Sequence, residues 1–164
     1  MNATHIVYTS ETGFTARYAA ILSQRLQLPA LTLDDALRQL PAGTPVICMG
    51  WLMASTVKGL GKAMTRFSVR AVVGVGLGDT GAQDAAVRKA CKLPQDVPVF
   101  TVQGGMDHTR LRGGYMVGIR LLTRMMAMKK NRTPDEERML TLLQQGGDFV
   151  HEKELAAVLA WAEG

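Results

Sequence analysis

Five short runs rich in β-branched residues, HIVYT (5–9), ALTL (30–33), PVICMG (45–50), VRAVVGVG (69–76) and VPVFTVQ (97–103), alternate with helix-patterned stretches near 13–27, 34–40, 56–67 and 82–91. That rhythm limits the fold more than any other feature. Strands separated by helix-length connections pair in parallel, and a parallel sheet is stable when helices cover both of its faces. The runs are nearly continuous in apolar character, as strands buried on both sides must be. The expected architecture is a doubly wound α/β fold with a five-stranded parallel sheet. A chain of 164 residues suffices for one domain, 1–164, with a substantial core.

The rhythm breaks after residue 104. In TPDEERMLTLLQQGG, Thr133 can cap, Pro134 fits the first helical position, acids fill the first turn, and Gly146 and Gly147 end the helix. A last helix is predicted in EKELAAVLAWAE, where Leu155, Val158, Leu159 and Ala162 form a stripe suited to covering the final strand. Residues 105–150 therefore read as a helical insertion between the fifth strand and the last helix.

Composition narrows function mainly by exclusion. The start MNATHIVYTSE lacks a basic region followed by an apolar one, and no stretch approaches the ~20 apolar residues of a membrane span. Cys48 and Cys91 form neither a C-x-x-C nor a zinc spacing, so two reduced thiols in a cytoplasmic protein are expected. His5, His108 and His151 stand alone, HEKEL lacks the second histidine of a zinc protease, and no G-x-S-x-G or Cys/His set occurs. No metal site or hydrolytic nucleophile is expected. His108 beside Asp107 reads either as a proton donor or as an ordinary surface histidine.

The informative segment is YTSETGFTARYAAIL, which follows the first strand. Ser10, Thr12 and Thr15 place three hydroxyls, with free backbone amides, around a helix N-terminus. No Lys or Arg lies within the turn, the G-x-x-x-x-G-K-[ST] arrangement is missing, and GLGKAM (59–64) lacks its upstream glycine and following hydroxyl. A phosphate monoester held by hydroxyls, amides and the helix dipole fits better than a triphosphate. The plainer alternative is that Ser10 or Thr12 merely caps the helix.

YTSETGFT resembles the phosphate-binding loop of flavodoxins, in which a hydroxyl residue, any residue, Thr-Gly, any residue and Thr follow the first strand. The resemblance implies the flavodoxin-like strand order 2-1-3-4-5 and FMN as cofactor. It implies phosphate contacts from the hydroxyls of Ser10, Thr12 and Thr15 and from backbone amides at Glu11, Gly13 and Phe14, the last replacing the asparagine common there. A second flavin loop is implied at GWLMAST, with Trp51, Leu52, Met53 and Ala54. There Trp51 or Met53 lies on the ring, or Trp51 is wedged against a helix. A third is implied at GLGDT, with Leu77, Gly78 and Asp79 along the ring edge. Flavodoxins often carry an aromatic residue there and this chain has none, which leaves one flavin face under aliphatic groups or open to a partner. The insertion and last helix are similar to those of the menaquinone-dependent protoporphyrinogen dehydrogenases.

Gly76-Leu77-Gly78-Asp79-Thr80-Gly81 also spells G-x-G-x-x-G between a strand and a helix. A dinucleotide site needs an acid at the end of the next strand, and Asp107 comes late, with too little sheet beyond it. The charge is more telling. Of the net +5, residues 105–132 carry seven basic residues against Asp107 alone, which leaves the rest of the chain near neutrality. Within YMVGIRLLTRMMAMKK, Arg120, Thr123 and Arg124 form a narrow polar stripe on a broad apolar, Met-rich surface. The basic segment 110–132 suits peripheral contact with the inner membrane face, an acidic partner or a flat apolar substrate; alternatively the helix packs on its own domain. Interleaved aromatics for nucleic-acid stacking are lacking.

Two functions follow from these expectations. One is an FMN-dependent oxidoreductase, with a quinone or a porphyrinogen-like apolar small molecule as substrate. The other is a flavodoxin-type electron carrier between redox partner proteins. Acidic surroundings disfavour a reduced, anionic flavin, and the basic insertion opposes that, so the oxidoreductase is the better match.

Overall fold

The computed structural model describes residues 2–164. Its strands are β1 (His5–Thr9), β2 (Ala30–Thr32), β3 (Pro45–Met53), β4 (Thr56–Val57), β5 (Ser68–Gly76), β6 (Val99–Gln103), β7 (Gly105–Met106) and β8 (Gly147–Asp148). Its α-helices are α1 (Phe14–Leu26), α2 (Leu33–Gln39), α3 (Leu60–Arg66), α4 (Asp84–Ala90), α5 (Gly113–Met128), α6 (Pro134–Gln145) and α7 (Ala156–Glu163).

The main sheet runs β2-β1-β3-β5-β6, all parallel, with β4 paired antiparallel to β3. It has six strands rather than the five expected. The expected order 2-1-3-4-5 therefore becomes β2-β1-β3-β5-β6 once β4 takes its place in the numbering. The sequence reading misses β4 because Thr56 and Val57 sit inside a helix-like stretch. In the structure they fold back on β3 through a two-residue turn, and α3 starts only at Leu60.

Alternation along the strands sends side chains to two separate cores. Ile6, Ile47, Met49, Ala71 and Val73 pack against Tyr18 and Leu22 of α1 and Val158 of α7. Val7, Val46, Cys48 and Val72 pack against Ala36 of α2, Leu60 and Ala63 of α3 and Val87 of α4. Leu155 is fully buried with Val158, while Leu159 is only partly covered, as the terminal stripe requires. Burial pushes the Cys48 thiol up to about 12, which keeps it protonated and inert.

The insertion is stitched back to the sheet. β7 pairs antiparallel with β8, α6 opens with the full Thr133–Glu136 capping box, and Met106, Leu111, Ile119, Leu142 and Leu143 form a third apolar cluster. Gly105 permits this closure. A Cβ there would stand 2.3 Å from the Gly147 carbonyl oxygen and 2.7 Å from the Phe14 ring.

Candidate functional site

Two cavities open at the carboxyl ends of the parallel strands, one on each side of the turn between β1 and α1, and Ser10, Glu11 and Thr12 line both. Gly13 closes the turn in the left-handed region, at φ 98°, and carries no side chain to cap α1. Ser10 Oγ accepts from the amides of Gly13 (3.2 Å) and Ala16 (3.3 Å). The capping alternative for Ser10 is thus realised, but through bonds at the long end of the normal range. Thr15 is only 1% exposed, lines the apolar cavity, and its hydroxyl joins no hydrogen bond among the described residues. The amides of Phe14 and Thr15 belong to the first helical turn and have no intrahelical acceptor.

The turn is not free of cations. Arg110, nearly one hundred residues away in sequence, donates from Nη1 to the Thr12 carbonyl (3.1 Å). The same nitrogen lies 2.5 Å from where a Cβ on Gly13 would stand. Asp107 fixes the guanidinium from behind, 3.4 Å from Nε. The Thr109 hydroxyl, and then its amide, hold the Asp107 carboxyl below the usual range. This corrects the sequence expectation of a pocket without basic side chains, which no local motif could reveal.

The apolar cavity, about 420 Å³, is floored by the ends of β3 and β5 and roofed by α5. Trp51, Leu52, Met53 and Ala54 line it with Leu77, and Phe14 and Thr15 close the side nearest the turn. Trp51, Leu52 and Met53 belong to strand β3 rather than to a loop. The turn that follows holds Ala54 at φ 46° and Ser55 at φ 62°, the two-residue hairpin form in which both central residues need positive φ. Neither is glycine, so strain is stored at the cavity rim. Gly78 and Asp79 are not among the lining residues, and the Asp79 carboxylate instead meets Arg138 of α6 at 3.2 Å.

The roof contributes residues that the sequence reading leaves unassigned: Tyr115, Gly118, Ile119 and Leu122 from α5, and Met139 from α6. Tyr115 meets Trp51 edge-on, with centroids 4.8 Å apart, and Lys58 Nζ lies 5.7 Å above the Trp51 ring. Burial, with Glu11 adding to it, holds the Tyr115 phenol above its ordinary pKa. Trp51 Nε1 is buried without a hydrogen-bond partner among the described residues. The one aromatic residue of the basic helix was the available clue to the roof.

The second cavity, about 1060 Å³, is rimmed by charged side chains. Lys58, Lys62, Arg110 and Arg112 line it against Glu11 and Asp34. His108 lines neither cavity. Among the described residues no group of three or more His, Cys, Asp or Glu side chains gathers to hold a metal ion. Comparison of the chain with family models, curated proteins and solved structures returned no significant match.

Proposed function

We propose that this chain is an FMN-binding, flavodoxin-like oxidoreductase whose substrate is a flat, apolar molecule of the quinone or porphyrinogen kind. One observation carries the reading: a slot lined by Trp51, Leu52, Leu77, Tyr115 and Ile119 opens directly beside a turn rich in hydroxyls and helix-end amides. Such a pairing fits a ligand that is planar and apolar at one end and dianionic at the other. The donor set suits that anionic end, since Thr12 and Thr15 offer hydroxyls, Phe14 and Thr15 offer amides, and Arg110 offers charge. The long bonds to Ser10 leave the Gly13 and Ala16 amides ready for a charged acceptor, which binds roughly twice as strongly as a neutral one.

Bound FMN would supply the electron transfer that no side chain here can perform. The protein's own part is positional. Trp51 and Tyr115 fix the width of the slot, α5 keeps water from it, and Met53 and Leu122 give its mouth an apolar, partly exposed edge.

The test is the visible absorption spectrum after addition of FMN, for the natural chain and for Thr12→Ala/Thr15→Ala. Retention of FMN by the natural chain and its loss from the double variant support the reading. Equal retention by both, or binding by neither, overturns it. Turnover of protoporphyrinogen with a menaquinone analogue tests the substrate class. A strongly low-potential flavin would favour the alternative of an electron carrier between protein partners.

A further inference from the structure

Helix α5 covers the cavity with one side and leaves the other bare. Val117, Leu121, Met125 and Met128 recur at intervals of four, four and three, so they share one face, and they are 58% to 72% exposed. Leu122, 38% exposed, joins that face to the cavity rim. The sequence alternative in which the whole helix packs on its own domain therefore holds for only half of its surface. Arg120 and Arg124 run along one edge of the bare stripe and Lys130 follows its end, and none of the three forms an ion pair among the described residues. The acids of α6 that could have answered them are committed elsewhere, Glu136 to Lys129, Glu137 to Arg132 and Asp135 to Arg138.

We propose that this face docks on an anionic lipid surface, with α5 lying in the plane of the interface and its stripe inserted at the headgroup–acyl boundary. An apolar face edged by unneutralised cations is what such a surface attracts and holds. A second copy is a poor occupant, because residues 113–130 contain no acid and self-pairing would press Arg120 and Arg124 against their own kind. A protein partner is also disfavoured: a single convex helix face without an exposed aromatic anchor offers little of what protein hot spots use. Among the described residues no helix is long and apolar enough to cross a membrane, so the proposed contact is peripheral. Lipid docking stands independently of the flavin reading. The consequence that apolar substrates reach the slot past Leu122 rests on that reading.

The experiment is co-sedimentation of the full chain with phosphatidylglycerol-rich vesicles and with pure phosphatidylcholine vesicles, at low and high salt. The expected result is binding to the anionic vesicles alone, weakened by salt, with the partition coefficient lowered roughly tenfold or more by Leu121→Ser/Met125→Ser and separately by Arg120→Gln/Arg124→Gln. All four positions are exposed, so circular dichroism should show both variants folded. No binding, equal binding to neutral vesicles, or binding untouched by both variants overturns the proposal. So does a concentration-dependent dimer that the Leu121/Met125 variant dissolves and that excludes vesicles. FMN absorbance of the same samples reports separately on the flavin reading.

Discussion

Arg110 should discriminate between flavins that differ only in phosphate. Its guanidinium touches the Gly13 turn through the Thr12 carbonyl, yet its side chain is 61% exposed and shares its charge with Asp107. Two unit charges at a contact distance of ~4 Å interact by about 1 kcal/mol in water and about 4 kcal/mol at intermediate screening. Exposure places Arg110 near the lower limit, so ~1–1.5 kcal/mol is the reasonable expectation, about tenfold in affinity. Flavin fluorescence titration of the natural chain and of Arg110→Gln, with FMN and with riboflavin, measures this directly. FMN binding should weaken about tenfold, riboflavin binding should not change, and added salt should erase the difference. Equal weakening of both flavins would show that Arg110 merely props the turn, and an unchanged FMN affinity would remove it from the site.

Gly105→Ala drives a Cβ into the Gly147 carbonyl and should cost ~1–3 kcal/mol in denaturant unfolding, with early proteolysis inside 106–146 as the strap between β7 and β8 opens. Replacing the strained turn by Ala54→Asn/Ser55→Gly should raise the unfolding free energy by ~1–2 kcal/mol, read as a higher denaturation midpoint at an unchanged slope. Tyr18, fully buried and donating to the Gln103 carbonyl at 2.5 Å, has its phenol pKa raised by burial from 10.0 to about 12. Its folded value exceeds its unfolded one, so its contribution is complete below pH 10 and declines as pH climbs toward 12. Tyrosinate absorbance should therefore show a component that titrates near pH 12 and is lost in Tyr18→Phe, beside the raised Tyr115 that the variant leaves in place.

The parallel sheet was legible because its strands are apolar on both sides, and the helices because their periodicity and caps are local. Both ends of β1, the carboxyl end of β5 and the Thr133 cap fall where the sequence places them. The hairpin of β3 and β4 was not legible. Its turn uses Ala54 and Ser55 where glycine or asparagine would announce positive φ, so the tertiary fold imposes what no local preference asks for. The site divides similarly. The hydroxyls of the first turn and the Trp51 segment are continuous in sequence and could be read directly. Arg110 and Tyr115 reach them only because β7 and β8 clamp the insertion across the carboxyl end of the sheet.

That clamp decides the electrostatics of the slot. Without the insertion, Glu11 would face only Lys58 and Lys62 across the turn, whereas Arg110 and Arg112 now tip the balance of the charged cleft to four cations against Glu11 and Asp34. Lys58, over the Trp51 ring, links that cleft to the apolar slot. A positive surrounding stabilises whatever negative charge a ligand gains on reduction, and so raises its potential. Reversing one such charge with Lys58→Glu changes the local interaction by about 2 kcal/mol at surface screening, on the order of 40 mV for a two-electron couple. Potentiometry should find the FMN-loaded variant more reducing than the natural chain by about that amount. An unchanged potential would mean that solvent screens the cleft from the slot, and the basic insertion would then act on binding alone.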